Sequence, residues 1–381
     1  MTHPLEGVRV VEVSTSVAGP YAGLILGALG ADVVKIEPPG GDDARAWGPP
    51  FWEGESAMFL AMNASKRSIV LDLKAQSDRE HLLELVRKAD VFLQNLRAGV
   101  AERLGIGFEE LRKVNARLVY CTIGAFGNVG PRRADPGYDP LMQAAGGVMS
   151  VTGEPNGPPV RSGASIVDQG SAMWAVIGIL AALRRRDRGS QLVETSLYET
   201  AVNWVPSQVV GYLASGRSPG RHGSAHPLIA PYEAFETADG MLMLAVANDR
   251  QYVALREALG LPDDPRLSSN PDRVAHRRKV RELIAPVMAT RTTADWLERL
   301  ASMGVPAAPV QDIADVVSDP QTAALELLQP LEHSTIKGLQ VVALPVSIEG
   351  ERMLHRGPPP LLGEPIHYLG TTQERDVGAA S

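Results

Sequence analysis

The sequence has little cysteine and no excess of positive charge. Its 381 residues contain one cysteine, Cys121, so an intramolecular disulfide framework is excluded. The formal net charge of −7 at pH 7 excludes the broad basic surface that binds nucleic acid or anionic membranes. Hydrophobic residues make up 44% and charged residues 21%, which suits an ordinary globular core.

Long apolar runs and targeting patterns are also lacking. No uncharged stretch reaches the roughly 18 apolar residues that a membrane-spanning helix needs. The segment from Met1 to Glu6 does not show the basic and then apolar pattern of a secretory signal. We therefore predict a cytoplasmic protein without membrane or nucleic-acid partners, and we expect no metal ion and no tightly bound cofactor.

Apolar strand-like runs alternate with helical segments through the first half of the chain. The predicted strands cover 8–13, 31–37, 68–73, 90–95 and 118–123, and the predicted helices end before Gly30 or cover 78–89 and 108–115. This alternation predicts a doubly wound α/β sheet with right-handed crossovers. Ligands bind such sheets at the carboxyl ends of the strands.

The first strand–helix–strand unit lacks the glycine pattern of dinucleotide-binding proteins. Val17-Ala-Gly-Pro20 stands where Gly-x-Gly-x-x-Gly would be expected. Glu37 ends the second strand, where an acid that binds ribose would lie. Without the glycines, a nicotinamide cofactor is disfavoured.

The second half of the chain predicts a smaller domain. Residues 214–226 are rich in Gly, Ser and Pro and predict a linker or a mobile active-site loop. Two short strands and several helices follow, so we assign 221–325 to a small α+β domain. The extended segment 326–381 should pack back onto the large domain, 1–220.

Asp168 is the strongest candidate for chemistry in the sequence. It follows a loop rich in glycine and proline and precedes the apolar stretch Met173–Leu183, which predicts a buried helix. A carboxylate at or just before a helix start is commonly a cap. The Gly- and Pro-rich residues at 135–159 favour the second interpretation, a carboxylate in the shaped wall of a cavity.

Several segments in fixed order carry a resemblance to a known family. They are Leu5–Val10, Ala18–Tyr21, Leu29–Asp42, Asn63–Lys74, Asp90–Asn95, Gly137–Gly147 and Asp168. Over essentially its full length the chain resembles the class III CoA-transferases, which include formyl-CoA:oxalate and carnitine CoA-transferases. The resemblance implies a Rossmann-like large domain and a chain shaped as an open ring. Two such rings interlock in an obligate homodimer, and the active site lies between the large domain of one chain and the small domain of the other.

The family mechanism assigns the nucleophile to Asp168. Its carboxylate attacks the acyl-CoA carbonyl to give a mixed anhydride, and the CoA thiolate then gives an aspartyl-CoA thioester. The acceptor acid repeats these steps in reverse and takes the CoA, so coenzyme A is a substrate. The helix N-terminus beside Asp168 is the expected source of N–H groups for the oxyanions.

The resemblance also implies positions that bind the substrate. Tyr138 matches a residue near the acyl group, and Asn95 with the loop after it matches the lining of the pantetheine site. Lys74 and Arg103 match basic residues that contact the CoA phosphates. The strand end containing Leu71 and Leu73 matches the adenine site.

Two departures from the family pattern point to a particular branch. One branch has Gln at Val17, beside Ala18 in the substrate site, and Arg at Pro38, so Arg45 is the candidate for the missing phosphate charge. The loop around His226 resembles that of the branch acting on dicarboxylates such as glutarate, itaconate and mesaconate. His226 either contacts the distal carboxylate or fixes the loop. The sequence does not determine the donor or acceptor acid.

Two rival functions are weaker. Related 2-methylacyl-CoA racemases use the same Asp with a histidine on the opposite face of the substrate, but this chain has no His between His81 and His222. A non-catalytic acyl-CoA binder would need neither Asp168 nor Tyr138.

Overall fold

The computed structural model describes residues 3–364. The described chain forms two compact units, the first from residues 3–148, 162–206 and 320–364 and the second from 149–161 and 207–319. The domain bounds expected from the sequence, 1–220 with 326–381 and 221–325, stay predictions. Residues 365–381 of the expected C-terminal return lie outside the described residues.

Strands and helices alternate in the first unit as the sequence predicts. The strands, numbered in chain order, are β1 (Arg9–Val13), β2 (Asp32–Glu37), β3 (Phe51–Trp52), β4 (Glu55–Ser56), β5 (Lys66–Val70), β6 (Val91–Gln94), β7 (Val119–Gly124), β8 (Gln191–Ser196), β9 (Tyr232–Glu236), β10 (Met241–Ala245), β11 (Ala307–Pro309), β12 (Leu328–Pro330), β13 (Gln340–Val342), β14 (Ser347–Ile348) and β15 (Glu351–Arg352). The helices are α1 (Ala18–Ala28), α2 (Ala57–Met62), α3 (Gln76–Lys88), α4 (Val100–Arg103), α5 (Phe108–Val114), α6 (Asp139–Ala145), α7 (Ile166–Leu183), α8 (Leu197–Asn203), α9 (Pro206–Ser215), α10 (Asp249–Leu259), α11 (Asn270–Ala275), α12 (Arg277–Met288), α13 (Thr293–Ser302), α14 (Ile313–Ser318) and α15 (Pro320–Ala324).

The centre of the first unit is a six-stranded parallel sheet in the order β5-β2-β1-β6-β7-β8. The chain moves outward from β1 to one edge and then returns to build the other half from β6. This order places a topological switch point between β1 and β6, where parallel sheets open a crevice beyond their carboxyl ends. The α/β class and the parallel sheet predicted from the sequence are confirmed.

The two faces of β1 pack against different helices. Val11 and Val13 point into a buried cluster with Leu82 of α3 and Leu111 of α5. Glu12 points to the opposite face, where α1 approaches so closely that a Cβ atom at Gly23 would lie 1.9 Å from the Glu12 Oε2 atom. A side chain at position 23 would force the buried Glu12 carboxylate to shift, so the glycine allows α1 to lie this near to the sheet.

Helix α7 begins seven residues before the predicted stretch at Met173. By length and composition, Ile166–Leu183 is the one helix among residues 3–364 that could cross a membrane. In this fold it packs against α1, α8, β7 and β8 of the first unit. Its early start places Asp168 in the first helical turn.

The second unit contains a three-stranded antiparallel sheet in the order β11-β10-β9. Phe235 and Leu242 of this sheet pack with Leu255 of α10, Ile284 of α12 and Trp296 of α13 in one buried cluster. An α+β composition is therefore observed for this unit.

The described part of the C-terminal segment packs on the first unit near β5. The backbone N–H of Arg356 donates to Ser65 Oγ at 2.8 Å, and that of Gly363 donates to Ser68 Oγ at 3.1 Å. Ser65 N in turn donates to the Gly357 carbonyl at 2.9 Å. The segment thus completes the first unit up to Glu364.

Candidate active site

A cavity of about 780 Å³ opens at the carboxyl ends of β1, β6 and β7. Loops after these strands and the first turn of α7 form its wall, and all of its lining residues belong to the first unit. The main lining segments are Thr15–Ala18, Gln94–Glu102, Thr122–Ala125, Arg133–Tyr138 and the single residue Asp168. The site therefore lies at the switch point that the strand order creates.

Asn95 joins the two loops that meet at this switch point. Its Oδ1 atom accepts a hydrogen bond from Thr15 N at 3.0 Å, and its Nδ2 atom donates to the Thr15 carbonyl at 2.8 Å. Both polar ends of the amide are thus used within the protein. Asn95 lines the cavity and ties the loop after β6 to the loop after β1, and its role beside the pantetheine arm stays a prediction.

The start of α7 is capped by a residue from a different helix. Ser165, at the N-cap position, makes no side-chain capping bond. The Asp139 Oδ2 atom, from α6, accepts instead from Val167 N at 2.8 Å and from Asp168 N at 3.2 Å. Gln143 Nε2 donates to Asp139 Oδ1 at 2.6 Å and holds the capping carboxylate in place.

This arrangement leaves the Asp168 side chain available for a ligand. Its carboxylate lines the cavity and accepts no hydrogen bond from any residue in the described range 3–364. Burial, reinforced by the negative charge of Asp139, raises the pKa of Asp168 to about 7. A carboxyl group with such a pKa in a cavity is a candidate for catalysis, and the simple cap interpretation of Asp168 does not hold.

The N–H groups beside Asp168 are not free to bind an oxyanion, contrary to the expectation from the sequence. Val167 and Asp168 donate to Asp139, Ile166 N donates to the Ala164 carbonyl at 2.9 Å, and Gln169 N donates to the Ser165 carbonyl at 3.0 Å. The sequence could not reveal this, because the cap comes from a residue 29 positions upstream of Asp168.

The start of α1 offers free backbone donors at the same cavity. Val17 and Ala18 line the wall, and their N–H groups have no acceptor among residues 3–364. Val17 makes no side-chain cap, and the first turn of α1 contains no acidic residue. The N-terminus of this helix can therefore stabilise negative charge on a ligand.

Tyr138 lies directly before α6 and lines the cavity with its side chain half-exposed. The neighbouring Asp139 was missed in the sequence, although an acid at the first position of a helix after a Gly-Tyr pair is a visible signal. Tyr138 and Asp168 thus line one cavity, and a position of Tyr138 near the acyl group stays a prediction.

Several residues implied to bind CoA do not line the cavity. They are Lys74, Arg103, Leu71, Leu73 and Arg45. The Arg45 guanidinium donates to both Glu37 carboxylate oxygens at 2.8 and 2.7 Å and to the Pro360 carbonyl at 3.1 Å. Its charge is therefore neutralised inside the fold, and a phosphate contact by Arg45 has no geometric support. The roles of the other four residues stay predictions.

The cationic residues that do line the cavity are Arg97 and Arg133, counted over the described chain. Both are exposed, and neither guanidinium has a protein partner in that range. Both lie in loops that follow strand ends. Sequence reasoning missed them because a loop arginine is indistinguishable from an ordinary surface residue until the fold brings it to a cavity.

His226 belongs to the second unit. Its Nδ1 atom accepts from Leu228 N at 3.1 Å, its backbone N–H donates to the Tyr232 carbonyl at 2.8 Å, and its ring packs against Tyr232. These contacts support the loop-fixing alternative. Contact with a substrate carboxylate stays a prediction.

Comparison with known proteins agrees with these features. The profile of CoA-transferase family III matches residues 5–365. The chain is 40% identical to a succinate–glutarate CoA-transferase of Agrobacterium fabrum, with 95% of this chain and 93% of the relative covered. It is 36% identical to a succinyl-CoA:mesaconate CoA-transferase of Haloarcula hispanica, with 99% and 98% covered.

A solved structure shares the whole fold. A CAIB/BAIF family protein from Brucella suis superposes with a TM-score of 0.87 at 37% identity, covering 96% of this chain and 97% of its own. The chain belongs to CoA-transferase family III and is an enzyme of that class. The resemblance inferred from the sequence, including that to the dicarboxylate branch, is confirmed.

Proposed function

We propose that this enzyme transfers CoA from succinyl-CoA to a free dicarboxylic acid through covalent intermediates on Asp168. The observation that carries the proposal is the unpartnered Asp168 carboxylate, with its pKa raised to about 7, in a cavity at the sheet switch point. The names of the two relatives support the choice of succinate as donor acid and of a dicarboxylate as acceptor.

In the first half-reaction an Asp168 carboxylate oxygen attacks the thioester carbonyl carbon of succinyl-CoA. The carbon–sulfur bond breaks, CoA leaves as a thiolate, and a succinyl-aspartyl anhydride remains. The thiolate then attacks the Asp168 carboxyl carbon, which forms an aspartyl-CoA thioester and releases succinate. Each step is a substitution at an acyl carbon and needs no external oxidant or metal.

In the second half-reaction the acceptor carboxylate attacks the aspartyl-CoA carbonyl carbon. CoA thiolate leaves again, and a new anhydride joins the acceptor to Asp168. Attack of the thiolate on the acceptor's acyl carbon yields the new acyl-CoA and regenerates the Asp168 carboxylate. Thiolate, thioester and anhydride interconvert at one carboxyl group, so the exchange conserves the free energy of the thioester.

The environment of Asp168 suits a nucleophile more than an acid. Burial removes part of the hydration of the carboxylate, which raises its pKa and makes the ionised form more reactive. The free N–H groups of Val17 and Ala18 are the candidates for stabilising the tetrahedral oxyanions. Tyr138, which lines the same cavity, is the candidate for contact with the acyl group.

The two cavity arginines suit the charges of the substrates. CoA carries phosphates, and a dicarboxylate keeps one free carboxylate when the other has reacted. Arg97, two residues after Asn95, is the candidate for a CoA phosphate, and Arg133, near Tyr138, is the candidate for the distal carboxylate. Both guanidinium groups are without a protein partner in residues 3–364, so each is available.

A racemase is the second candidate, and the cavity disfavours it. Exchange of a proton at the α-carbon needs a second base facing Asp168. No histidine lies among the lining residues in the described part of the chain.

We also propose a homodimer. Met173, Trp174 and Ile177 of α7 are 42%, 43% and 55% exposed, although α7 is otherwise a core helix. Such an apolar surface on one face of a helix suits a protein interface. Sedimentation analysis should give a dimer that persists on dilution, and a monomer that appears at low protein concentration would contradict the proposal.

We also propose that the protein is cytoplasmic.

Acyl exchange measured by mass spectrometry tests the function. The protein would be mixed with succinyl-CoA and a panel of free mono- and dicarboxylic acids, with Asp168→Asn as the matched control. New dicarboxyl-CoA species that vanish in the variant support the proposal. Deuterium uptake from solvent at the α-carbon of a 2-methylacyl-CoA, without any acyl exchange, would replace it with the racemase.

A further inference from the structure

The turn between β1 and α1 holds a backbone conformation that its sequence does not favour. Ser16 has a φ of 69°, in the left-handed region that residues with a side chain rarely adopt. This residue directly precedes Val17 and Ala18, which line the cavity and whose N–H groups have no acceptor among residues 3–364. Something outside the turn must therefore hold Ser16 in place.

That anchor is the buried Asp42 carboxylate. Its Oδ1 atom accepts from Ser16 N at 2.9 Å and from Ala44 N at 3.0 Å, while its Oδ2 atom pairs with Lys35 Nζ at 2.8 Å. Asp42 is itself fixed, because its backbone N–H donates to Glu37 Oε2 at 2.9 Å. Both oxygens of Asp42 thus connect the turn to the interior of the sheet.

Asp42 belongs to a buried cluster of four charged side chains. Glu12, Lys35, Asp42 and Lys66 are all fully enclosed, and their formal charges cancel. Lys35 Nζ also donates to the Ser14 carbonyl at 2.8 Å, which holds the other end of the turn. A buried charged cluster of this kind adds little net stability compared with apolar packing, and removing one of its members leaves an uncompensated buried charge.

Close packing removes the alternative positions for the turn. A Cβ atom at Gly19 would lie 2.3 Å from Ser14 Cβ and 3.2 Å from Asn95 Cγ. The helix start, the turn and Asn95 are therefore fitted against one another, and a shift of Ser16 would move the N–H groups of Val17 and Ala18. A displacement of about 1 Å in groups that stabilise a transition state costs roughly a hundredfold in rate.

We infer that Asp42 is a positioning residue for the transfer reaction, holding Ser16 in its left-handed conformation so that the N–H groups of Val17 and Ala18 face the reacting acyl group. Asp42 does not touch the substrate and acts through the turn. The inference rests on the proposed function for its catalytic consequence, but the anchoring itself does not depend on which acid is transferred.

The test uses hydrogen–deuterium exchange and kinetics on the full-length protein. In Asp42→Ala, exchange of the peptide that covers 14–18 should accelerate roughly tenfold, in line with loss of one charge-assisted hydrogen bond, while β6 keeps its wild-type exchange. The kcat with succinyl-CoA should fall at least tenfold. In Asp42→Asn the amide oxygen still accepts from Ser16, so kcat should stay within about threefold of wild type although the Lys35 ion pair is lost.

Lys66→Met is the matched control from the same cluster. Lys66 pairs with Glu12 and donates to Asn63 and to the Pro20 carbonyl of α1, but in residues 3–364 no hydrogen bond or ion pair joins its side chain to residues 14–17. Its loss should therefore lower the Tm while exchange at 14–18 stays near that of wild type. If Asp42→Ala does not fold, Asp42→Asn gives a smaller, severalfold acceleration at 14–18 as the readout. Unchanged exchange there in the Asp42 variants, or an equal loss of kcat in Lys66→Met, would overturn the inference. If wild type transfers no CoA to any dicarboxylate, the proposed function is wrong. The hydrogen–deuterium exchange data then still show whether Asp42 holds the turn at 14–18 in place.

Discussion

The Asp139 carboxylate accepts a hydrogen bond from the backbone N–H of Asp168 at 3.2 Å, so one aspartate caps the helix that presents the other. Asp139 stabilises the start of α7, and its charge also raises the pKa of the Asp168 carboxyl. The two acids therefore have different tasks set by their surroundings. One is saturated with hydrogen bonds, and the other is open to the cavity.

Removing the charge of Asp139 should lower the pKa of Asp168. In Asp139→Asn the side-chain oxygen can still accept from Val167, but the repulsion that helps to raise the Asp168 pKa is gone. The pH dependence of kcat/KM should rise with pH through about 7 in wild type, because Asp168 must be ionised to attack, and the midpoint should move to lower pH in the variant. An unmoved midpoint would show that another group controls the profile. Asp139→Ala should in addition lose the cap, at a cost of about 1 kcal/mol of stability.

The raised pKa of Asp168 makes a prediction about stability. The folded protein holds a proton on Asp168 more tightly than the unfolded chain does. The favourable contribution of this group to the free energy of unfolding is therefore complete below pH 4 and is lost as the pH rises through about 7. Asp168→Asn carries no ionisable group and should gain stability relative to wild type between pH 4 and 7, with a constant difference above. Urea unfolding of both proteins at several pH values measures this. If the stability of Asp168→Asn relative to wild type decreased as the pH rises, the result would contradict this prediction.

Arg97 and Arg133 should affect different substrates. Arg97→Gln is expected to raise the KM for acyl-CoA roughly tenfold or more, through loss of a charge-assisted contact, with little change in the KM of the acceptor acid. Arg133→Gln should raise the KM of dicarboxylate acceptors while that of a monocarboxylate of equal length stays the same. Steady-state kinetics with both acceptors separates the two roles. If Arg133→Gln raised the KM of both acids equally, Arg133 would not be the residue that binds the distal carboxylate.

The approach of α1 to the sheet depends on Gly23. Gly23→Ala would place its Cβ 1.9 Å from Glu12 Oε2 inside the buried charged cluster, and overpacking of this kind costs about 1–3 kcal/mol. Gly211→Ala on the exposed helix α9 meets no atom within 4 Å and should instead stabilise the protein by up to about 1 kcal/mol. Thermal unfolding of the two variants compares them directly. Equal Tm values would contradict the close packing described for α1.

The sequence predicted the parallel sheet well because its buried strands are short apolar runs between clear turn residues. The start of α7 was predicted seven residues late, since polar Asp168 and Gln169 hide the helical continuation of Met173–Leu183 toward the N-terminus. Asp168 itself was predicted because two signals agree: it follows a loop rich in glycine and proline, and it matches a position of the family pattern. Asp139 as a cap and Arg97 as a cavity residue were missed, because each depends on contacts between segments far apart in the chain.

The charged cluster under the β1–α1 turn was also beyond local sequence reasoning. Glu12, Lys35 and Lys66 lie in three different strands. Taken one at a time, each charged residue would be interpreted as facing solvent. Only the parallel register of β1, β2 and β5 brings them together. Arg45, expected beside a CoA phosphate, pairs with Glu37, and its phosphate contact stays a prediction.

The most direct test of the central claim is a search for the aspartyl-CoA thioester itself. The protein would be incubated with succinyl-CoA, quenched in acid and digested, and the peptide containing Asp168 would be examined by mass spectrometry. A CoA adduct on that peptide, absent in Asp168→Asn and discharged by adding a dicarboxylic acid, is the predicted result. Continued acyl exchange in Asp168→Asn, or exchange without any adduct at Asp168 in wild type, would contradict covalent catalysis at this residue.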